Sequence, residues 1–132
     1  MKYLLDTNTC VQLLRNRPGS LVAGRLAAAN PGDVVLCSMV LGELLLGALR
    51  SRDAAKNTAE VQVFVKGFRS LDFGDDSAAE YAMIKADLAV KGTPIGPNDL
   101  LIAAIARASS LTLVTHNTAE FSHVVGLKLA DW

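Results

Sequence analysis

Three short runs in this chain, Tyr3-Leu4-Leu5, Val34-Val35-Leu36-Cys37 and Leu111 to Thr115, are almost wholly apolar, and each is separated from the next by helical stretches. A strand that is apolar on both sides is covered on both sides. Short buried strands alternating with helices predict an α/β fold with a mainly parallel sheet between helical layers.

The remaining elements fall between breakers. Thr7 and Asn8 supply capping side chains for a helix over Cys10 to Arg15, Pro18-Gly19-Ser20 interrupts, and Leu21 to Ala29 reads as a second helix. Ser38 is placed to cap a long helix to about Arg50, and the spacing of Val61, Phe64, Val65 and Phe68 predicts a further helix to Arg69. Leu71-Asp72-Phe73 reads as a strand. Ser77 to Glu80 has the capping-box pattern, its helix stopping at Gly92, and a helix that is apolar on all sides after Asp99 and until Arg107 runs from Asp99 to about Ala108. A turn at His116-Asn117 and a last strand near Leu127 to Leu129 complete the chain.

With 132 residues, 51% of them hydrophobic and 20% charged, the chain reads as a single domain over 1–132 that buries its own core without a stapling metal or disulfide. Cys10 and Cys37 lack paired spacing and read as reduced core thiols of a cytoplasmic protein. Asp6 interrupts the first apolar run too early for a signal peptide or a membrane span. The net charge of zero hides an asymmetry: residues 1–69 carry nine basic and five acidic groups, residues 70–132 four and eight. Arg15, Arg17, Arg25, Arg50 and Arg52 could therefore face nucleic acid, although a solvated helix face is the simpler account of them.

Three carboxylates stand among apolar neighbours. Glu43 shares its helix face with Met39, Val40, Leu46 and Gly47 and has no Lys or Arg within a turn, so its charge requires a cation or a shifted pKa. Asp99 opens the apolar helix, where a first-turn acid is also favoured by the helix dipole. Asp6 ends the first strand, with Thr7 and Asn8 available to cap in its place. Asn117 lies just past the strand ending at Thr115. All four map to the carboxyl edge of a parallel sheet, where ligands collect. Oxygen donors without clustered His or Cys suit Mg²⁺, with Mn²⁺ as a substitute, and point to phosphodiester or phosphoryl chemistry.

The segments Leu4-Leu5-Asp6-Thr7-Asn8, Gly42-Glu43-Leu44, Gly92 to Ala104, Leu113 to Phe121 and Asp131-Trp132 together resemble the PIN-domain ribonucleases of the VapC toxin family. The resemblance covers nearly the whole chain. It implies a three-layer α/β/α sandwich and a Mg²⁺-dependent endoribonuclease, cutting RNA, transfer RNA among the targets, with metal-activated water. It also implies the toxin half of a toxin–antitoxin pair, with an antitoxin protein as partner. By that resemblance Asp6, Glu43 and Asp99 form the acidic triad and hold the metal. Asn117 occupies a fourth catalytic position that is often Asp in the family. Thr7 and Thr115 are carried over as polar support. Glu120 is a further candidate ligand that would have to swing inward from its turn, and His116 a candidate base; a surface role is the simpler account of each. Three charges without a fourth predict one firmly held ion in the free protein.

Two other readings compete. Asp6-Thr7-Asn8 followed by Ser38 imitates a haloacid-dehalogenase-like phosphatase with Asp6 as nucleophile, although Asn8 stands where that chemistry normally has a second Asp. The other is a non-catalytic interaction module whose carboxylates meet a partner's cations. The apolar residues Leu44, Leu45, Leu46, Leu49, Val61, Phe64 and Phe68 exceed what one sheet face covers, which predicts an exposed groove for an antitoxin segment and a homodimer through the helical surface.

Overall fold

A computed structural model describes all 132 residues. Five parallel strands form one sheet: β1 (Tyr3–Leu5), β2 (Val34–Cys37), β3 (Arg69–Leu71), β4 (Thr112–Val114) and β5 (Lys128–Ala130), in the spatial order β3-β2-β1-β4-β5. Seven helices connect them: α1 (Thr7–Arg15), α2 (Leu21–Ala28), α3 (Ser38–Leu49), α4 (Ala54–Val65), α5 (Asp75–Lys91), α6 (Pro97–Ala108) and α7 (Thr118–Phe121). Crossovers are right-handed, so the connections leading out from β1 to β3 and those leading back through β4 to β5 lie on opposite faces. The packing follows this division: α1 meets α2, α3 and α4, while α5 meets α6 along much of its length. The expected three-layer sandwich is the observed one.

Burial follows the apolar runs. Leu4, Leu5, Val35, Cys37, Leu113 and Val114 are fully enclosed, because the central strands have helices on both sides. The edge strands β3 and β5 begin with Arg69 and Lys128, charges that discourage pairing with another chain. Burial pushes the Cys10 thiol up and takes Cys37 to about 11, so both stay protonated core groups. Leu113→Ala removes side-chain contacts from the middle of the sheet with little room for collapse. It is expected to cost about 3 kcal/mol, or about 10 °C in Tm, measurable by thermal denaturation.

Several boundaries differ from the sequence reading, each for a local reason. Asp6 itself caps α1, which begins at once at Thr7 instead of Cys10, with the Asp6 carboxylate accepting from the Thr7 N–H. Ser38 does not cap α3; its hydroxyl donates to Asp72 Oδ1 at 3.0 Å. The helix over 54–65 stops short of Arg69 because pairing with β2, in the register Val35↔Arg69 to Cys37↔Leu71, draws Arg69 to Leu71 into the sheet in place of Leu71 to Phe73. Ser77 lies inside the first turn of α5, behind Asp75 and Asp76 at its dipole-favoured start, and Glu80 reaches Arg107 on α6 instead of closing a capping box. Pro97, pre-set for the first helical position, starts α6 two residues before Asp99. The turn after β4 winds into α7, β4 is trimmed to Thr112–Val114, and β5 sits one residue later than expected. Gly92 ends α5 with φ +69°, as its place predicts.

Candidate active site

The sheet order reverses at β1: the chain leads from it to β2 on one side and returns to β4 on the other. In open parallel sheets the carboxyl ends of two such strands frame the ligand crevice. Asp6 follows β1 directly and Thr115 follows β4. The register Leu5↔Val114 brings them side by side, and the Thr115 hydroxyl donates to Asp6 Oδ2 at 2.7 Å. Asp6 Oδ1 accepts from the Thr7 N–H at 2.8 Å. Asp6, 5% exposed, is thus fixed at both oxygens, one by a helix start and one by strand pairing.

Thr7 serves two carboxylates, since its hydroxyl also donates to Glu43 Oε1 at 2.8 Å. Glu43 is half-buried, not enclosed as its neighbours suggest: Val40, Leu44 and Ala48 take the core side of α3 and leave Glu43 on the rim of that stripe. Asp99, in the first turn of α6, is half-buried and accepts no hydrogen bond from another side chain or from the backbone. Burial, then the negative charges of Asp6, Glu120 and Glu43, push its carboxyl up to about 6.

Glu120 does not swing; it is anchored. Its Oε1 accepts from the Gly96 N–H at 2.9 Å and its Oε2 from the Asn117 amide at 2.7 Å, bonds that hold its carboxyl below the usual range. Asn117 also donates its backbone N–H to Thr115 Oγ1 at 3.0 Å. The amide at 117 is therefore a tether for Glu120, and an Asp there would set one carboxylate against another. Gly96, which the sequence marks only as part of the approach to the helix and not as a site residue, joins this set through its N–H alone, a role that leaves no side-chain signal. His116 points to Asp131, with which its Nδ1 shares a hydrogen bond, and His123 lies exposed on the following turn.

None of Asp6, Glu43, Asp99 or Glu120 is in an ion pair, whereas Asp33, Glu80, Asp87 and Asp131 are. No three His, Cys, Asp or Glu side chains are drawn together at ligating spacing. The donor set is wholly oxygen, includes one carboxylate without a hydrogen-bond donor and carries unbalanced negative charge, which fits a hard divalent cation reached by rotation of the side chains.

The raised Asp99 pKa gives a signed expectation for the metal-free protein. A carboxyl with an ordinary value of 3.8 when unfolded and about 6 when folded stabilises the fold while protonated, and that contribution fades as pH rises through 6. Asp99→Asn should therefore match the parent Tm near pH 4 and exceed it near pH 7 in chelator-treated buffer, by differential scanning fluorimetry.

The phosphatase alternative finds no support, since Ser38 is committed to Asp72 and the backbone oxygen of Leu71 at the far side of β2. The PIN-domain family profile matches residues 3–127. The chain is 39% identical to the tRNA(fMet)-specific endonuclease VapC of Shigella flexneri over all of its length and 98% of the relative's. It is 35% identical to ribonuclease VapC2 of Haemophilus influenzae (strain ATCC 51907 / DSM 11121 / KW20 / Rd), again over its whole length and 98% of the relative's. A chain of the DNA-bound VapBC crystal structure from Salmonella typhimurium superposes with a TM-score of 0.94 at 36% identity, covering 100% of this chain and 98% of that one. The fold, the acidic crevice and these likenesses agree: the chain belongs to the VapC ribonucleases, RNA-cleaving hydrolases built on the PIN domain.

Proposed function

We propose that the protein is the toxin of a toxin–antitoxin pair: one PIN domain over 1–132 that cleaves transfer RNA in the cytoplasm with a divalent cation, Mg²⁺ or Mn²⁺, held by Asp6, Glu43 and Asp99. The observation that carries this reading is the set of carboxylates at the β1–β4 crevice, none of them in an ion pair with a cation of the chain. A bound divalent cation supplies charge stabilisation for the phosphate and an activated water. The chain's own part is to hold the ligands. Thr7 and Thr115 fix Asp6 and Glu43, while Glu120 and Asn117 tie the segment before α6 to the turn after β4 and so set the position of Asp99. No side chain is placed as a covalent nucleophile.

The antitoxin reading also has support in the surface. A groove of about 540 Å³ between α1, α3 and α4 is lined by Val11, Leu14, Leu44 and Val61 and ends at Glu43, so an apolar segment followed by a basic side chain fits it. Leu46 and Leu49 are exposed but do not line it, and Leu45 and Phe68 pack on the core. The exposed pair suits self-association as a dimer, readable by sedimentation. Induced expression followed by sequencing of RNA ends tests the main reading. New 5′ ends in transfer RNA are expected with the parent chain and none with Asp6→Asn; identical ends in both would refute it.

A further inference from the structure

The five arginines of the basic half do not share one fate. Arg15 and Arg17 line a second groove, of about 490 Å³, together with Gln12, Ser20, His116 and Trp132. Arg50 and Arg52 sit on the α3–α4 turn outside it, and Arg25 lies on α2 beyond its wall. The groove is built by specific local structure. Asn16, in the left-handed conformation at φ 48°, ends α1 and turns Arg17-Pro18-Gly19-Ser20 around the opening. Trp132 is braced edge-on by Tyr3, with ring centroids 5.1 Å apart, and His116 by Asp131. Neither Arg15 nor Arg17 is in an ion pair, and the one carboxylate bonded to a group lining the groove, that of Asp131, is spent on His116.

The groove adjoins the acidic crevice on two sides. His116 stands between Thr115, which holds Asp6, and Asn117, which holds Glu120, so this wall begins about 3.8 Å along the chain from the crevice. Arg15 lines both this groove and the one that ends at Glu43. Free guanidinium groups bind phosphate, a braced indole and imidazole offer faces to a base, and a Gln amide can bond a base edge or phosphate. Resting on the ribonuclease reading, we propose that this groove seats a nucleotide of the RNA strand next to the cleaved phosphate, Arg15 and Arg17 taking its backbone and His116 with Trp132 its base. Substrate is then held by cations at one side of a site whose own charge repels it.

The test measures cleavage of an initiator transfer RNA transcript with Mg²⁺, and anisotropy of the same fluorescein-labelled transcript in EDTA at several salt concentrations. The double variant Arg15→Ala/Arg17→Ala should raise KM and Kd about tenfold and lower the slope of log Kd against log salt by about 1 to 2. Trp132→Ala should weaken binding about fivefold with an unchanged salt slope, the mark of lost stacking. Arg50→Ala/Arg52→Ala, a change of equal charge elsewhere, should shift neither constant by more than twofold. If the parent cleaves and the Arg15/Arg17 pair variant keeps its KM and salt slope, the groove is refuted while the ribonuclease reading stands. A pair variant that keeps RNA affinity but loses the antitoxin puts a peptide there and also overturns the proposal. A parent that neither binds nor cleaves RNA overturns both.

Discussion

Asp6→Asn should lower RNA cleavage by about a thousandfold and end growth inhibition on induced expression, with the fold intact. The geometry separates the two effects. An Asn carbonyl oxygen still accepts the Thr7 N–H that starts α1, and its amide can donate to the Thr115 hydroxyl, which changes from donor to acceptor. Only the charge is lost. Because that charge is one of those that raise the Asp99 pKa, the metal-free variant should melt no lower than the parent. Glu43→Gln and Asp99→Asn are expected to act in the same direction in an RNA cleavage assay. Parent-like rates in any of the three would remove that residue from the machinery.

Chelation should be equally severe. Dialysis against EDTA is expected to reduce cleavage to background, with recovery on adding Mn²⁺ or Mg²⁺ but not a monovalent salt of equal ionic strength. Calorimetric titration of the RNA-free protein with Mn²⁺ should show one ion. Asp99 accepts no hydrogen bond and one oxygen of Glu43 has no donor, which leaves them open to join Asp6 on one ion; both oxygens of Glu120, like those of Asp6, are engaged, but on the tether of Gly96 and Asn117. Glu120→Gln should accordingly loosen the site through Asp99 without deleting it. Two sites of comparable affinity would refute the one-ion account and make Glu120 a ligand.

The parts of this fold that were legible in the sequence are those whose signal is local composition. The apolar runs at β1, β2 and β4 announced a parallel sheet because burial on both faces leaves no room for alternation. Gly92 announced its helix end through backbone conformation. Helix starts were less legible, because Ser38 and Ser77 carry the right chemistry but are drawn to a long-range partner or left inside the first turn, and Asp6 served as cap and candidate ligand together. Asp6, Glu43 and Asp99 could be named as out-of-place charges, although Glu43 stands half-buried on the rim of its apolar stripe. Glu120 could not be placed, since its anchors are a backbone N–H 24 residues away and an amide, neither of which marks the sequence. Arg15 and Arg17 were indistinguishable from the other arginines until the turn at Asn16 set them around one opening.

The crevice joins residues 109 positions apart: Asp6 is braced by Thr115 only after β4 has slotted in beside β1. Strand pairing of such long separation forms late in folding, and a chain growing from its amino end cannot form it until the partner strand has been made. A nascent chain therefore lacks the assembled crevice until its synthesis is nearly complete. Its acidic residues 6, 43 and 99 are all synthesised first, yet the frame that organises them arrives with the last fifth of the protein. Any message cut short before that segment yields an inert fragment.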